Sequence, residues 1–84
     1  GNSYEGELAL THEILSFKPK EGSGKGKELS IPLENIINIT KEDRLLYSEI
    51  RVHLRDGGIE RFVMPHGEEG DKLTDAFRNM SAHF

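Results

Sequence analysis

The stretch Ile50-Arg51-Val52-His53-Leu54-Arg55-Asp56-Gly57-Gly58-Ile59-Glu60-Arg61-Phe62-Val63-Met64 decides the fold. Ile50, Val52 and Leu54 alternate with Arg51, His53 and Arg55, the period of a strand with one buried face. Asp56-Gly57-Gly58 is a turn signal, and Ile59–Met64 reads as the returning strand. Phe62 and Met64 can share a face with Ile50, Val52 and Leu54 only if the loop holds an odd number of residues. The expectation is a three-residue loop with Gly58 in the left-handed conformation of a G1 bulge. That register sets Val52 opposite Phe62, Ile50 opposite Met64 and His53 opposite Arg61.

After Pro65 the period changes. Leu73, Ala76, Phe77, Met80 and Phe84 recur at spacings of three and four, one stripe of an amphipathic helix from about Glu69. Asp71 is the expected N-cap, with Glu68, Glu69 and Asp75 near the positive end of the helix dipole. A helix with one apolar stripe, following half-buried strands, is expected to cover a sheet.

Upstream, Leu8 and Leu10 belong to a first strand from about Glu5, and Leu15 and Phe17 to a second. A tight turn at His12-Glu13 sets Leu10 opposite Leu15 and Leu8 opposite Phe17 on one face. Residues 19–26 (PKEGSGKG) read as a flexible loop. Lys27–Ile31 reads as a third strand, with Leu29 and Ile31 inward. Pro32-Leu33-Glu34-Asn35 is a turn with Leu33 folded beneath it. In the fourth strand, Ile36–Glu42, Ile37 and Ile39 share a face. The loop from Asp43 to Ser48 carries an unusually apolar Leu45-Leu46-Tyr47, which either extends a strand or forms an exposed patch. Six strands and one C-terminal helix make an α+β chain, mostly β. A bent sheet or small antiparallel barrel would bury the single-faced strands.

The 84 residues suffice for one domain, residues 1–84. There is no cysteine, hence no disulfide framework. No apolar run approaches the roughly 18 residues of a membrane-spanning helix, and no signal peptide is evident. Gly1 stands where an initiator Met would, so the chain reads as a cut from a longer protein or as one bearing a cloning remnant. A net charge of −4 argues against nucleic acid as a partner.

Gly6-x-Leu8-x-Leu10-Thr11 followed by Leu15-x-Phe17 resembles the opening of GRAM domains and small bacterial PH-like domains. Ile31-Pro32-Leu33-x-x-Ile36-x-x-Ile39 is similar to their next segment. Ile50-x-Val52-x-Leu54-x-Asp56-Gly57, then Phe62 and the helix, resembles their last third. The resemblance covers most of the chain through apolar and turn positions, and it implies a PH-like barrel closed at one end by the helix. That fold has seven strands, and this chain lacks the first. The resemblance therefore implies an open sheet edge, available for β-augmentation or for pairing in a homodimer.

Two surfaces are candidate sites. Lys18, Lys20, Lys25 and Lys27 flank the glycine-rich loop with only Glu21 opposing them, a local charge of +3 that suits an anionic lipid headgroup or phosphate. The ordinary reading is a solvated loop. Arg51, His53, Arg55 and Arg61 form an outward cationic face suited to an acidic peptide, or else an ordinary wet sheet face. The loop fails the GxxxxGK[ST] pattern, because Pro19 and Glu21 stand where the first glycine belongs. His12, His53, His66 and His83 lack metal-site spacing, so no metal or cofactor is expected. No catalytic set is evident. The expected function is a non-catalytic binding module, cytoplasmic and peripheral to a membrane if it binds lipid. Lipid or anion binding, protein interaction through an open edge, and a small ligand carrier or enzyme remain as readings; Leu45 to Tyr47 could serve the first as an apolar wedge.

Overall fold

In the computed structural model, residues 3–19 and 27–81 are described, with side chains from Gly6 onward. The elements run β1 (Ser3–Leu10), β2 (Ile14–Pro19), β3 (Leu29–Pro32), a 3-10 turn (Leu33–Asn35), β4 (Ile36–Asp43), β5 (Ser48–Leu54), β6 (Ile59–Met64) and α1 (Glu68–Ser81). The fold is α+β and mostly β. Two three-stranded antiparallel units, β1-β2-β3 and β4-β5-β6, meet where Ser3–Glu5 of β1 run parallel to Arg61–Val63 of β6. The strand order is β3-β2-β1-β6-β5-β4.

The first hairpin has the register that alternation predicts, with Leu8 opposite Phe17 and Leu10 opposite Leu15. Its His12-Glu13 turn manages without glycine because Thr11 braces it. Thr11 Oγ1 accepts from the N–H groups of Glu13 (3.2 Å) and Ile14 (3.1 Å). β1 exchanges partners at Gly6, and a Cβ there would collide with the Lys18 carbonyl oxygen and lie 2.8 Å from Phe17 Cε1. Leu29 and Ile31 of β3 face Phe17 and Leu15, although β3 starts at Leu29 and not at Lys27.

The β5–β6 register differs from expectation by two. Ile50 pairs with Phe62, Ser48 with Met64 and Arg51 with Arg61. The loop holds three residues, but they are Arg55-Asp56-Gly57. Leu54 N–H donates to Gly58 O at 2.8 Å, and Gly57, not Gly58, takes positive φ (97°). Asp56 is the cause: its Oδ1 accepts from Gly58 N–H at 2.8 Å, an Asx turn that places Asp56 at the loop's centre. A shift of two preserves parity, so Ile50, Val52, Phe62 and Met64 all remain buried.

Three further expectations are corrected. Ile37 does not share the core face with Ile39. The β4–β5 register shifts between Ile36 and Asn38, and this bulge turns Ile36 inward while leaving Ile37 57% exposed. Asp71 is not the N-cap, since the helix begins three residues earlier, after Gly67 (φ 147°). The open edge is not at the chain's start: β1 is internal to the strand order, and β3 and β4 lie at its ends.

Leu73 and Phe77 of α1 are buried, with Met80 partly buried against the core. Phe84 lies outside the described residues. The core also takes in Leu15, Phe17, Leu33, Ile36 and Ile39.

Candidate functional site

Of the basic loop, Lys18 and Lys27 are exposed, Lys18 lying opposite Glu7 in the β1–β2 register and Lys27 next to Glu28. Lys20 and Lys25 lie outside the described residues.

The cationic face is not one site. Arg51 and Arg61 are direct cross-strand neighbours, so the expected pairing of His53 with Arg61 is not found; His53 sits opposite Ile59. Like charges directly opposite destabilise a sheet unless they are neutralised. Here Glu49 does so from the same face. Arg51 Nε donates to Glu49 Oε1 at 2.6 Å, Arg61 Nε lies 4.0 Å from the same oxygen, and an Arg51 terminal nitrogen sits 2.8 Å from Glu42 Oε2. The hydrogen bond from Arg51 holds the Glu49 carboxyl below its ordinary pKa, against the opposing effect of desolvation. His53 Nε2 shares a hydrogen bond with Thr40 Oγ1 at 3.2 Å. Arg55 stands apart, its Nε donating to Glu34 O at 2.9 Å and its backbone N–H to Asn35 O at 2.8 Å.

The strongest surface feature is the β4–β5 hairpin tip. The Leu45-Leu46-Tyr47 run forms an exposed patch, not a strand extension: Leu45 is 91% and Leu46 83% exposed. The tip is braced. Arg44 N–H donates to Tyr47 O at 2.7 Å, closing a two-residue loop. His66 Nε2 lies 2.6 Å from Arg44 O and 2.8 Å from Tyr47 O, so it donates to both carbonyls and pins the hairpin to the β6–α1 connection. At the base, Ser48 Oγ donates to Asp43 Oδ1 at 2.6 Å, which is the main reason the Asp43 carboxyl is held below its ordinary pKa. Lys41 Nζ bridges Asp43 (3.4 Å) and Asp71 (2.7 Å), and the Asp71 contact leads the effects that raise its pKa. Below the tip Glu42 is paired with Arg44 (3.3 Å) and Arg51 (2.8 Å), and Asp43 and Asp71 share Lys41.

The other end of β4 lies in a half-open cleft of about 790 Å³ between the β3–β4 corner and α1. Ile14, Pro32, Leu33, Ile36, Ile37 and Phe77 give it apolar walls, and His12 and Arg55 are among the polar groups lining it. Sequence reasoning missed this cleft because alternation assigns Ile37 to the core; no residue type announces the bulge that turns it outward.

Among the described residues no group of three or more His, Asp or Glu side chains is placed to hold a metal ion. No described helix is long and apolar enough to cross a membrane. Comparison with protein-family models, curated proteins and solved structures gave no match.

Proposed function

We propose that this chain is a non-catalytic binding module that acts by contact with protein. The observation that carries this reading is the pair of nearly fully exposed leucines, Leu45 and Leu46, on a braced tip. Burying a leucine side chain contributes roughly 1.5–3 kcal/mol, and a rigid tip loses little entropy when it docks. The chain's net charge of −4 favours protein over an anionic bilayer, whose surface repels an acidic chain. It suits a partner with a basic surface around its apolar pocket. A PH-like, GRAM-like ancestry belongs to the same reading. Its support is the resembling apolar positions, the six strands and the C-terminal helix; closure into a barrel is part of the proposal. So are a cytoplasmic location and, for the lysine loop, an anionic headgroup as the competing ligand.

The test places a photo-crosslinker at the tip, Leu45→p-benzoylphenylalanine, in cells that make the protein, with the same probe at Ile59 as control. The expected result is one discrete protein adduct from position 45, none from position 59, and no pelleting of the purified chain with neutral or phosphatidylserine vesicles. No adduct, together with pelleting on phosphatidylserine vesicles that is lost in the Lys18→Glu/Lys27→Glu variant, would replace this reading with lipid binding.

A further inference from the structure

We propose that the β3–β4/α1 cleft is closed by the chain's own Phe84, so that an apolar ligand enters it only by displacing that ring. Phe84 lies outside the described residues. The face that α1 turns to the cleft and the chemistry of the lining support this occupant, independently of any contact made by the Leu45-Leu46 tip.

α1 contributes Phe77 and Ser81 to the cleft, and Ser81 ends the described helix. Ala82-His83-Phe84 follow, with neither glycine nor proline to stop a helix and the strongest helix former in first place. Three further helical residues advance about 4.5 Å and bring position 84 back to the face of Phe77 and Ser81. Long helical side chains lean toward the N-terminus, so a ring at position 84 covers the turn that holds Ser81, which is the α1 side of the cleft.

The lining suits an uncharged aromatic group. Ile14, Pro32, Leu33, Ile36 and Phe77 form apolar walls, and the charged groups are of both signs, Glu13 and Glu34 against Arg55, which commits the cleft to neither an anion nor a cation. Its volume of about 790 Å³ admits a phenyl ring without overpacking. Ile37, turned outward by the β4 bulge and 57% exposed, is the apolar side chain that such a ring would cover.

The chain has no tryptophan, so Phe84→Trp in the full chain supplies a single fluorescent reporter. Its emission should lie to the blue of the same protein in urea, and acrylamide should quench it several-fold more slowly than free N-acetyltryptophanamide. Adding Ile37→Asp should return the quenching toward the free value while circular dichroism stays unchanged. A neutral apolar dye, N-phenyl-1-naphthylamine, gives a second readout that keeps Phe84 natural in wild type. Phe84→Ala should bind the dye at least about tenfold more tightly than wild type does, because the competing ring is gone. Quenching of folded Phe84→Trp as fast as the free indole overturns the proposal, as does protection that Ile37→Asp leaves intact. Equal dye binding by wild type and Phe84→Ala also overturns it.

Discussion

The rings of Phe17 and Phe62 lie with centroids 5.0 Å apart and planes inclined at 43°, joining the two three-stranded units through their side chains. Phe17 belongs to β2 and Phe62 to β6, the strands on either side of β1 in the sheet order. Among the described residues, the strand pairing between the units is the short parallel run of β1 on β6. Phe62→Ala should therefore lower unfolding free energy by about 3–5 kcal/mol. A chain of this length has roughly 4–13 kcal/mol in total, so the variant should be marginally folded. Urea unfolding checks this, and a loss below about 1 kcal/mol would show that the pair is not the joint.

At Gly6 the main chains of β1 and β2 approach too closely for any side chain, with the Lys18 carbonyl oxygen in the place of a Cβ. The obstacle is backbone, which cannot rotate away as a flexible side chain does. Gly6→Ala should cost about 1–3 kcal/mol through separation of the strands. The urea midpoint should drop with the slope unchanged; an unchanged midpoint would show that β1 and β2 part freely.

How legible these features were depends on whether a local rule determined them. Leu8, Leu10, Leu15 and Phe17 fix the first hairpin because a two-residue turn permits one pairing of their common face. The helix stripe of Leu73 and Phe77 is equally direct. The second hairpin is different, since two three-residue loops satisfy the same parity and the Asp56 side chain selects between them. The bulge at Ile37, and with it the cleft, arises from how β4 meets β5 and leaves no mark in the hydrophobic period. The neutralising role of Glu49 was hidden for the same reason, because it depends on a register that puts Arg51 opposite Arg61. The apolar tip was visible as composition, but its bracing by His66 joins residues about twenty positions apart.

Acid should weaken the fold through Glu49 and Asp43. Both carboxyls are held below their ordinary pKa in the folded chain. The folded state then binds fewer protons than the unfolded one, so stability rises with pH across this window. The contribution is complete above the unfolded values of about 4 and is lost as pH falls through the lower folded values. Lys41 acts oppositely: its raised pKa gives a contribution present below about 10.4 and lost as pH rises through the folded value. Glu49→Gln should flatten the acid limb of urea midpoint against pH. It should also lower the midpoint at pH 7, because Arg51 and Arg61 then face each other without a carboxylate between them. An acid limb identical to that of wild type would remove Glu49 as its source.

His66 determines how firmly the apolar tip is presented. Its Nε2 donates to the carbonyls of Arg44 and Tyr47 on both sides of Leu45-Leu46. His66→Ala leaves the Arg44 carbonyl to water, takes one of two donors from the Tyr47 carbonyl and removes the only described side-chain tether between the tip and the β6–α1 connection. A net hydrogen bond contributes about 1 kcal/mol, so amide exchange of residues 44–47 should accelerate roughly fivefold while that of α1 stays as it was. If protection of the tip is unchanged in His66→Ala, the hairpin is held by its own Arg44–Tyr47 bond and His66 is incidental to it.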